Sequence, residues 1–523
     1  MSILIESDPR TYAIIGQRRK FTACRAVASR NLSNEQAMEI ELDIRAIPDP
    51  QLASDRVRDI TREKNRMRTI NIMRNLRRSI ALLSLLISVT HGQSRIAPTP
   101  PMGWNSWDAY GPTVTEAEVK SNADYMARHL ASFGWKYIVV DIQWYEPNAQ
   151  KHGYRANAEL ITDGFGRLLP APNRFPSSAN GRGFKALADY VHSKGLKFGI
   201  HIMRGIPRQA VRTNLPIFGT KLRAKEVADE QSICPWNTDM YGVRADTPGG
   251  QAYYDSIVRL YADWGVDYIK ADDMTAFNGK PADGGRLAEI AALSSAIKRS
   301  GRPMVLSLSP GPASVDQAEF LKTHSQLWRI SDDFWDRWQD LKKQFEYTRK
   351  WAGHTGTNSY PDADMLALGR IGIRAERGDD RQTRFTRDEQ VTLMTLWSIF
   401  RSPLMFGGDL PSNDSFTLSL LTNRDVLEVN QRSKNNRELF VRGNVIAWTA
   451  DALRGRDKYL AVFNIGDDSD PAPVKVSLKE IALNGRCRVS DLWKNENLGV
   501  VQHELQTTVP RHGAKLFRLS PHN

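Results

Sequence analysis

From residue 98 onward the chain alternates between two patterns. Short runs rich in β-branched and aromatic residues are followed by stretches whose apolar residues recur at helical spacing. The first pattern fits strands and the second amphipathic helices. Strands are predicted at 102–107, 137–142, 197–202, 267–273, 304–309, 327–333, 360–365 and 403–410, with helices between most of them, notably at 117–133, 184–194, 251–264 and 285–299. Such alternation argues for a parallel sheet. Eight units over 96–431 predict an α/β fold, a (β/α)8 TIM barrel with insertions.

Acidic residues fall at the ends of these strands. Asp141, Asp272, Asp333 and Asp364 each stand at or near a predicted C-terminal strand end, where barrels of this kind place their active sites. A single Asp there could simply cap the next helix. Four of them, joined by Lys270 and Arg329, are hard to explain as caps. Side chains alternate faces along a strand. Lys270 and Asp272 therefore share a face and Asp273 points away. By the same parity Arg329, Ser331 and Asp333 share a face and Asp332 does not. The inward pair is Asp272 and Asp333, unless a bulge resets the alternation.

Composition narrows the class. The chain has 523 residues, 41% hydrophobic and 25% charged, with 13 Trp, 15 Tyr and 18 Phe. That is the make-up of a folded globular protein rather than a disordered one. Its three cysteines, Cys24, Cys234 and Cys487, exclude a disulfide scaffold and a CxxC metal cluster. The His residues are scattered, so no metal or other cofactor is expected. The net charge of +13 is spread without a basic stripe. Nucleic acid is therefore not an expected partner.

Residues 73–92 form a distinct segment. Arg74, Arg77 and Arg78 precede an unbroken apolar or small-residue run at 80–89, and Thr90 and Gly92 supply small residues before a cleavage point. This is the order of a secretory signal peptide. The run is about half of the roughly 20 residues a membrane span needs. The expectation is therefore export to the periplasm or medium after cleavage near Gly92, with no membrane span. Residues 1–72 precede this leader. They read as an over-extended reading frame ahead of a true start at Met73. The alternative is a real, largely disordered extension, partly helical at 55–68.

Two inward carboxylates with an amine and a guanidinium beside them suit glycoside hydrolysis. One carboxylate stays ionised and attacks the anomeric carbon, a state Lys270 would favour. The other gives a proton to the leaving sugar and then serves as base. Trp104, Trp107, Trp144 and Tyr145 are either platforms for a sugar ring or core residues. Phe406-Gly-Gly-Asp409 is a weak candidate for a phosphate loop.

Several segments resemble glycoside hydrolase family 27, the α-galactosidase (melibiase) family. They are Pro101-Met-Gly-Trp-Asn-Ser-Trp107, Gly134-Trp-Lys-Tyr-Ile-Val-Val-Asp141, Leu196-Lys-Phe-Gly-Ile200, Trp264-Gly-Val-Asp-Tyr-Ile-Lys-Ala-Asp272, Pro361-Asp-Ala-Asp-Met-Leu366 and Ser402-Pro-Leu404, in family order. The resemblance implies a retaining exo-glycosidase, with Asp272 as nucleophile and Asp333 as acid/base. It also implies that Trp104, Asp141, Lys270, Arg329 and Asp364 contact the sugar. A C-terminal antiparallel β-sandwich domain is implied too. Residues 437–523 fit it, with strands at 441–450 and 459–464 and turns at Arg442-Gly443-Asn444 and Gly466-Asp467. The implied activity is α-galactosidase, acting on terminal α-D-galactosyl residues of an oligosaccharide or polysaccharide.

Departures from the family pattern bear on the substrate. The family usually has a second Asp directly after the first, and that pair grips the O4 and O6 hydroxyls of galactose. Here the second residue is Ile142. An apolar wall suits a sugar without a C6 hydroxymethyl, so β-L-arabinopyranosidase is the alternative activity. His201 is the candidate to replace the lost anchor. Ser309 stands where galactosidases often have a Glu near the sugar 2-position, which leaves an α-N-acetylgalactosaminidase-like reading open, as well as a non-catalytic carbohydrate binder. Met274 replaces a Cys that many members pair in a disulfide. The insertion at 204–243 is expected to wall the pocket, with Cys234-Pro-Trp-Asn237 reaching toward the site.

Overall fold

A computed structural model describes residues 96–277 and 280–522, with short pieces at 11–12, 26–27 and 62. The expected leader at 73–92 lies outside the described residues. So does the extension before it, apart from those pieces. Thr11–Tyr12 pairs antiparallel with Ala26–Val27, within a unit separate from the one that begins at Arg95.

In the second unit eight strands form one parallel sheet. They are β1 Met102–Asn105, β2 Tyr137–Val140, β3 Lys197–Met203, β4 Tyr268–Asp272, β5 Val305–Leu308, β6 Leu327–Arg329, β7 Tyr360–Asp362 and β8 Leu404–Phe406. Their spatial order is β7-β6-β5-β4-β3-β2-β1-β8. A parallel bridge between Leu366 and Phe406 brings the two ends of the sheet together. The sheet is thus curled into a barrel, as the alternation of the sequence predicts.

The helices start and stop where local chemistry dictates. Helix α1, Glu116–His129, opens on a capping box of Thr115 and Glu118, with acids in its first turn and Arg128 and His129 in its last. Helix α2 is Lys185–Ser193. Helix α3, Pro248–Trp264, has Thr247 as N-cap and Pro248 at its first position, and ends at Gly265 with φ +89°. Helix α4, Gly284–Ser300, is capped by Asp283. Helices α5 Ala318–His324, α6 Trp338–Trp351 and α7 Arg387–Phe400 follow the next strands. Each predicted helix is present within a few residues, since terminal turns are the least determined part of a helix.

Several predicted strands end early, the eighth among them at Phe406 rather than 410. The sixth stops at Arg329 rather than 333, and the seventh at Asp362 rather than 365. Asp333 and Asp364 therefore sit on loops beyond their strands, where parity does not govern them. Asp364 has φ +82°, a strained conformation for a residue with a side chain.

The C-terminal region is antiparallel. Strands β9 Ser433–Arg442, β10 Val445–Ala452, β11 Lys458–Asn464, β12 Ala472–Ser477, β13 Cys487–Asp491, β14 Glu496–Val501, β15 Glu504–Val509 and β16 Ala514–Pro521 build two sheets, β9-β10-β11-β16-β13-β14 and β12-β15. The sheets face each other across Val462, Val474, Val476, Val489, Leu505 and Phe517. The expected strand at 441–450 is divided by a hairpin turn at Gly443-Asn444, where Gly443 takes φ +56°.

The sandwich packs on helix α7. Eleven of its fourteen residues are buried. Trp448, Phe463 and Leu516 of the sandwich belong to the same apolar cluster as the barrel. Trp493 Nε1 donates to Thr395 Oγ1 at 2.8 Å, and Thr392 Oγ1 donates to the His512 carbonyl at 2.6 Å. The His512 ring stacks on Trp338 at 3.8 Å and bonds Glu389 at 2.7 Å. Among the described residues, no helix is long and apolar enough to cross a membrane.

Candidate active site

The strand ends that carry the acids break sharply. Gln143, Asp273 and Asp364, each just past a strand, have positive φ of 63°, 59° and 82°. Left-handed residues here turn the chain away and leave the strand-end side chains in the barrel mouth.

One half of the site is built by β2, β3 and β4. Asp141 Oδ2 accepts from Asn105 Nδ2 at 2.7 Å and from Lys270 Nζ at 2.9 Å, and its Oδ1 accepts from the Ile142 backbone N–H at 2.9 Å. Burial opposes ionisation of Asp141, but the Lys270 ammonium and these donors hold it well below the usual carboxylate range. Burial likewise opposes the charge on Lys270, and Asp141 and Asp272 keep it protonated. His201 is fully buried, and its Nε2 lies 3.0 Å from Asp272 Oδ2. The other oxygen, Oδ1, accepts from the Asp273 backbone N–H at 2.8 Å. Burial would push Asp272 up; the hydrogen bond from His201 and the charge of Lys270 outweigh it and hold the carboxyl below its ordinary value.

The second half comes from β6 and β7. Arg329 Nη2 binds Asp364 Oδ2 at 2.7 Å and Asp333 Oδ1 at 3.2 Å. Burial raises Asp364 even against Arg329. The halves meet at a small cavity of about 20 Å³, lined by Lys270, Ser309, Arg329, Asp362 and Asp364. The Arg329 guanidinium also feels the charge of Asp272. Asp272 and Asp333 remain the open carboxylates, with side chains 15% and 38% exposed.

Other expected site residues are placed differently. Trp104 is fully buried and its Nε1 donates to the Gly408 carbonyl at 2.8 Å, so it offers no face to a ligand. The tryptophan beside the site is Trp107, whose backbone N–H donates to Asn105 Oδ1 at 2.9 Å. Trp144 and Tyr145 are core residues, fully buried. Ile142 is buried and joins the site through its backbone bond to Asp141. Ser309 is buried with no hydrogen-bond partner for its hydroxyl. Asp273 turns away into an ionic network with Arg204 at 2.8 Å and Arg286 at 3.2 Å, and Arg204 also binds Glu289 at 2.5 Å. Asp332 is exposed and accepts the Asp333 backbone N–H at 2.8 Å.

Some residues near the site carry no signal in the sequence. Asp108 is buried with one carboxylate oxygen unpartnered. Burial and the nearby Asp364 push its pKa well above the usual value. A Cβ at Gly407 would lie 2.0 Å from that oxygen. The Gly-Gly pair thus accommodates a carboxyl group rather than a phosphate. Among the described residues there is no His, Cys, Asp and Glu cluster fit for a metal. The 204–243 insertion meets the turn that follows Asp141 and Ile142: Asp239 Oδ2 accepts from Gln143 Nε2 at 3.0 Å; the buried Cys234 thiol is pushed up to about 12, first by burial and then by Asp273.

This arrangement provides an ionised carboxylate beside a cation, a second carboxylate open to solvent, and a mouth walled by loops. Known proteins resemble this chain in sequence and fold. A family model described as alpha galactosidase A matches residues 99–243 and 239–432, and one described as the alpha galactosidase C-terminal beta sandwich domain matches 442–519. The α-galactosidase of Coffea arabica is 29% identical over 428 residues, covering 81% of this chain and 94% of that protein. The crystal structure of a GH27 β-L-arabinopyranosidase from Geobacillus stearothermophilus is 53% identical, covers 82% of this chain and 97% of its own, and has a TM-score of 0.79. A variant of that enzyme, solved in complex with arabinose, is 52% identical with a TM-score of 0.80, covering 83% of this chain and 100% of its own. With both of its regions matched in order, the chain belongs to the α-galactosidase (melibiase) family, glycoside hydrolase family 27.

Proposed function

We propose that the protein is a retaining exo-glycosidase that removes terminal β-L-arabinopyranosyl residues, with α-D-galactosides as poorer substrates. The observation that carries this is Ile142. It stands directly after Asp141, is 1% exposed, and brings no side-chain acceptor. A C6 hydroxyl meeting it would lose an anchor worth about 1–3 kcal/mol. A pyranose without C6 loses nothing there. The sequence alone ranked α-galactosidase first. The greater identity to an enzyme named as a β-L-arabinopyranosidase supports reversing that order. The Nε2 of His201 is engaged with Asp272 and so is not the replacement anchor.

In the proposed reaction Asp272 attacks the anomeric carbon. The bond to the leaving oxygen breaks as Asp333 gives that oxygen its proton. Water then attacks the glycosyl ester, Asp333 takes a proton from it, and Asp272 leaves as carboxylate. Two inversions give net retention. Arg329 and Lys270 keep the site's positive charge close to both acids.

The test is hydrolysis of matched 4-nitrophenyl glycosides, β-L-arabinopyranoside and α-D-galactopyranoside. A higher kcat/KM on the arabinoside is expected. A clear preference for the galactoside would return α-galactosidase to first place.

A further inference from the structure

An aromatic series leads from the site to solvent. Asn105 donates to Asp141 at 2.7 Å, and the Trp107 backbone donates to Asn105 at 2.9 Å. The Trp107 ring stacks on Tyr154, centroids 5.7 Å apart at 15°. Tyr154 meets Trp236 at 5.5 Å and 41°. Trp236 is 39% exposed, whereas Trp104, Trp135, Trp144 and Trp328 are fully buried. Among the described residues it is the exposed tryptophan.

The loops that carry this series are held together. The Asn157 backbone N–H donates to Thr238 Oγ1 at 2.7 Å, tying the Tyr154 loop to the insertion. His152 Nδ1 lies 2.6 Å from the Ala375 carbonyl, tying it to the loop after β7. Through Trp107 and Asn105 the Tyr154 ring is linked to the carboxylate of Asp141, and burial, then the charges of Asp272 and Asp141, push its hydroxyl pKa up. An exposed indole on a braced loop next to a glycosidase mouth has a specific use. Indole faces stack on the C–H faces of sugar rings and tolerate different hydroxyl patterns.

We propose that Trp236, backed by Tyr154 and Trp107, binds the leaving-group sugar, the glycan residue on the far side of the cleaved bond. This rests on the glycosidase reading above and adds the second half of the substrate to it. In the second step the same platform takes an acceptor sugar. Its hydroxyl oxygen bonds to the anomeric carbon, the Asp272 ester bond breaks, and the hydroxyl proton passes to Asp333. The product is then a transferred glycoside rather than the free sugar.

The test compares two substrates with one glycone: a β-L-arabinopyranosyl disaccharide and β-L-arabinopyranosyl fluoride, whose leaving group is not a sugar. Trp236→Ala should lower kcat/KM on the disaccharide by about five- to tenfold more than on the fluoride, chiefly through KM. Trp236→Phe should recover most of that difference, and added acceptor sugar should give less transfer product with Trp236→Ala. Equal losses on both substrates, or none on either, overturn the proposal. If the unaltered enzyme cleaves neither β-L-arabinopyranosyl nor α-D-galactosyl fluoride, it is the glycosidase reading that fails. The platform is then judged by calorimetric binding of the disaccharide, which Trp236→Ala must weaken for the proposal to stand.

Discussion

The imidazole Nε2 of His201 lies 3.0 Å from Oδ2 of Asp272, on neighbouring strands β3 and β4. With an ionised Asp272, Nε2 is the donor. Removing that donor takes away the main influence that lowers the Asp272 pKa against burial. The pKa then rises, and a larger fraction of Asp272 is protonated at any acidic pH. His201→Phe should move the acid limb of the kcat/KM profile to higher pH. It should also lower kcat while KM changes little. His201→Gln, which keeps an N–H donor, should restore much of both. An unshifted limb in His201→Phe would show that the imidazole does not act through Asp272.

Asp272→Ala should reduce turnover by about 10⁴-fold or more with an unchanged circular dichroism spectrum. Surviving turnover would remove Asp272 from the nucleophile role. Asp333→Ala should discriminate between leaving groups. The loss should be small with an activated aryl glycoside that departs unprotonated, and large with a sugar leaving group.

Ile142→Asp tests specificity. A carboxylate there supplies the missing hydroxyl acceptor. The ratio of galactoside to arabinoside kcat/KM should rise by roughly ten- to a hundredfold, the equivalent of about 1–3 kcal/mol. An unchanged ratio would mean that another residue sets the choice.

Lys270→Met should strip Asp141 of its counter-ion, since the two lie 2.9 Å apart with side chains 14% and 2% exposed. Breaking a buried pair on one side costs about 3–5 kcal/mol. Urea unfolding near neutral pH should show a loss of that order. Asp141 has a depressed pKa in the folded protein, so its stabilisation is present above its unfolded value and lost as pH falls through the folded one. Without Lys270 the depression disappears and acid relieves the unpaired charge. The stability gap between the two proteins should therefore narrow toward pH 3, a point set by the ordinary carboxylate value of about 3.9. A constant gap would show that the pair is not what Lys270 stabilises.

A chain beginning at Gln93 should fold and retain full activity. Loss of soluble protein or of turnover would make residues 1–92 part of the working enzyme. Expression of the chain from Met73 should yield protein outside the cytoplasm whose N-terminal sequence starts near Gln93. An uncleaved N-terminus would remove the leader reading.

The barrel was legible because alternation of strand and helix patterns is a local property. The Asp272–Lys270 relation was legible for the same reason, as both lie on β4. The positions of Asp333 and Asp364 were less so. Their strands end early, and a left-handed residue cannot be read from periodicity. Tyr154 lies on a loop without repeat, and its place beside Trp107 depends on contacts far along the chain. Trp104 and Trp107 look alike in sequence; only packing decides that one is core and the other borders the mouth. His201 was legible as a nearby polar group, but not as a partner of Asp272, because that relation needs the register of two strands 71 residues apart.

Helix α7 has apolar neighbours on two sides, the barrel strands within and the sandwich without. Many proteins can exchange an appended domain by gene fusion, because each part keeps its own core. Here a cut after residue 432 would strip Trp448 from Phe400 of α7 and Phe463 from Phe345 of α6. The sandwich therefore shares apolar surface with the barrel in addition to its own core. Variation in such a chain is free to accumulate in the mouth loops, where the choice of sugar is made, while the seam behind α7 stays closed to recombination.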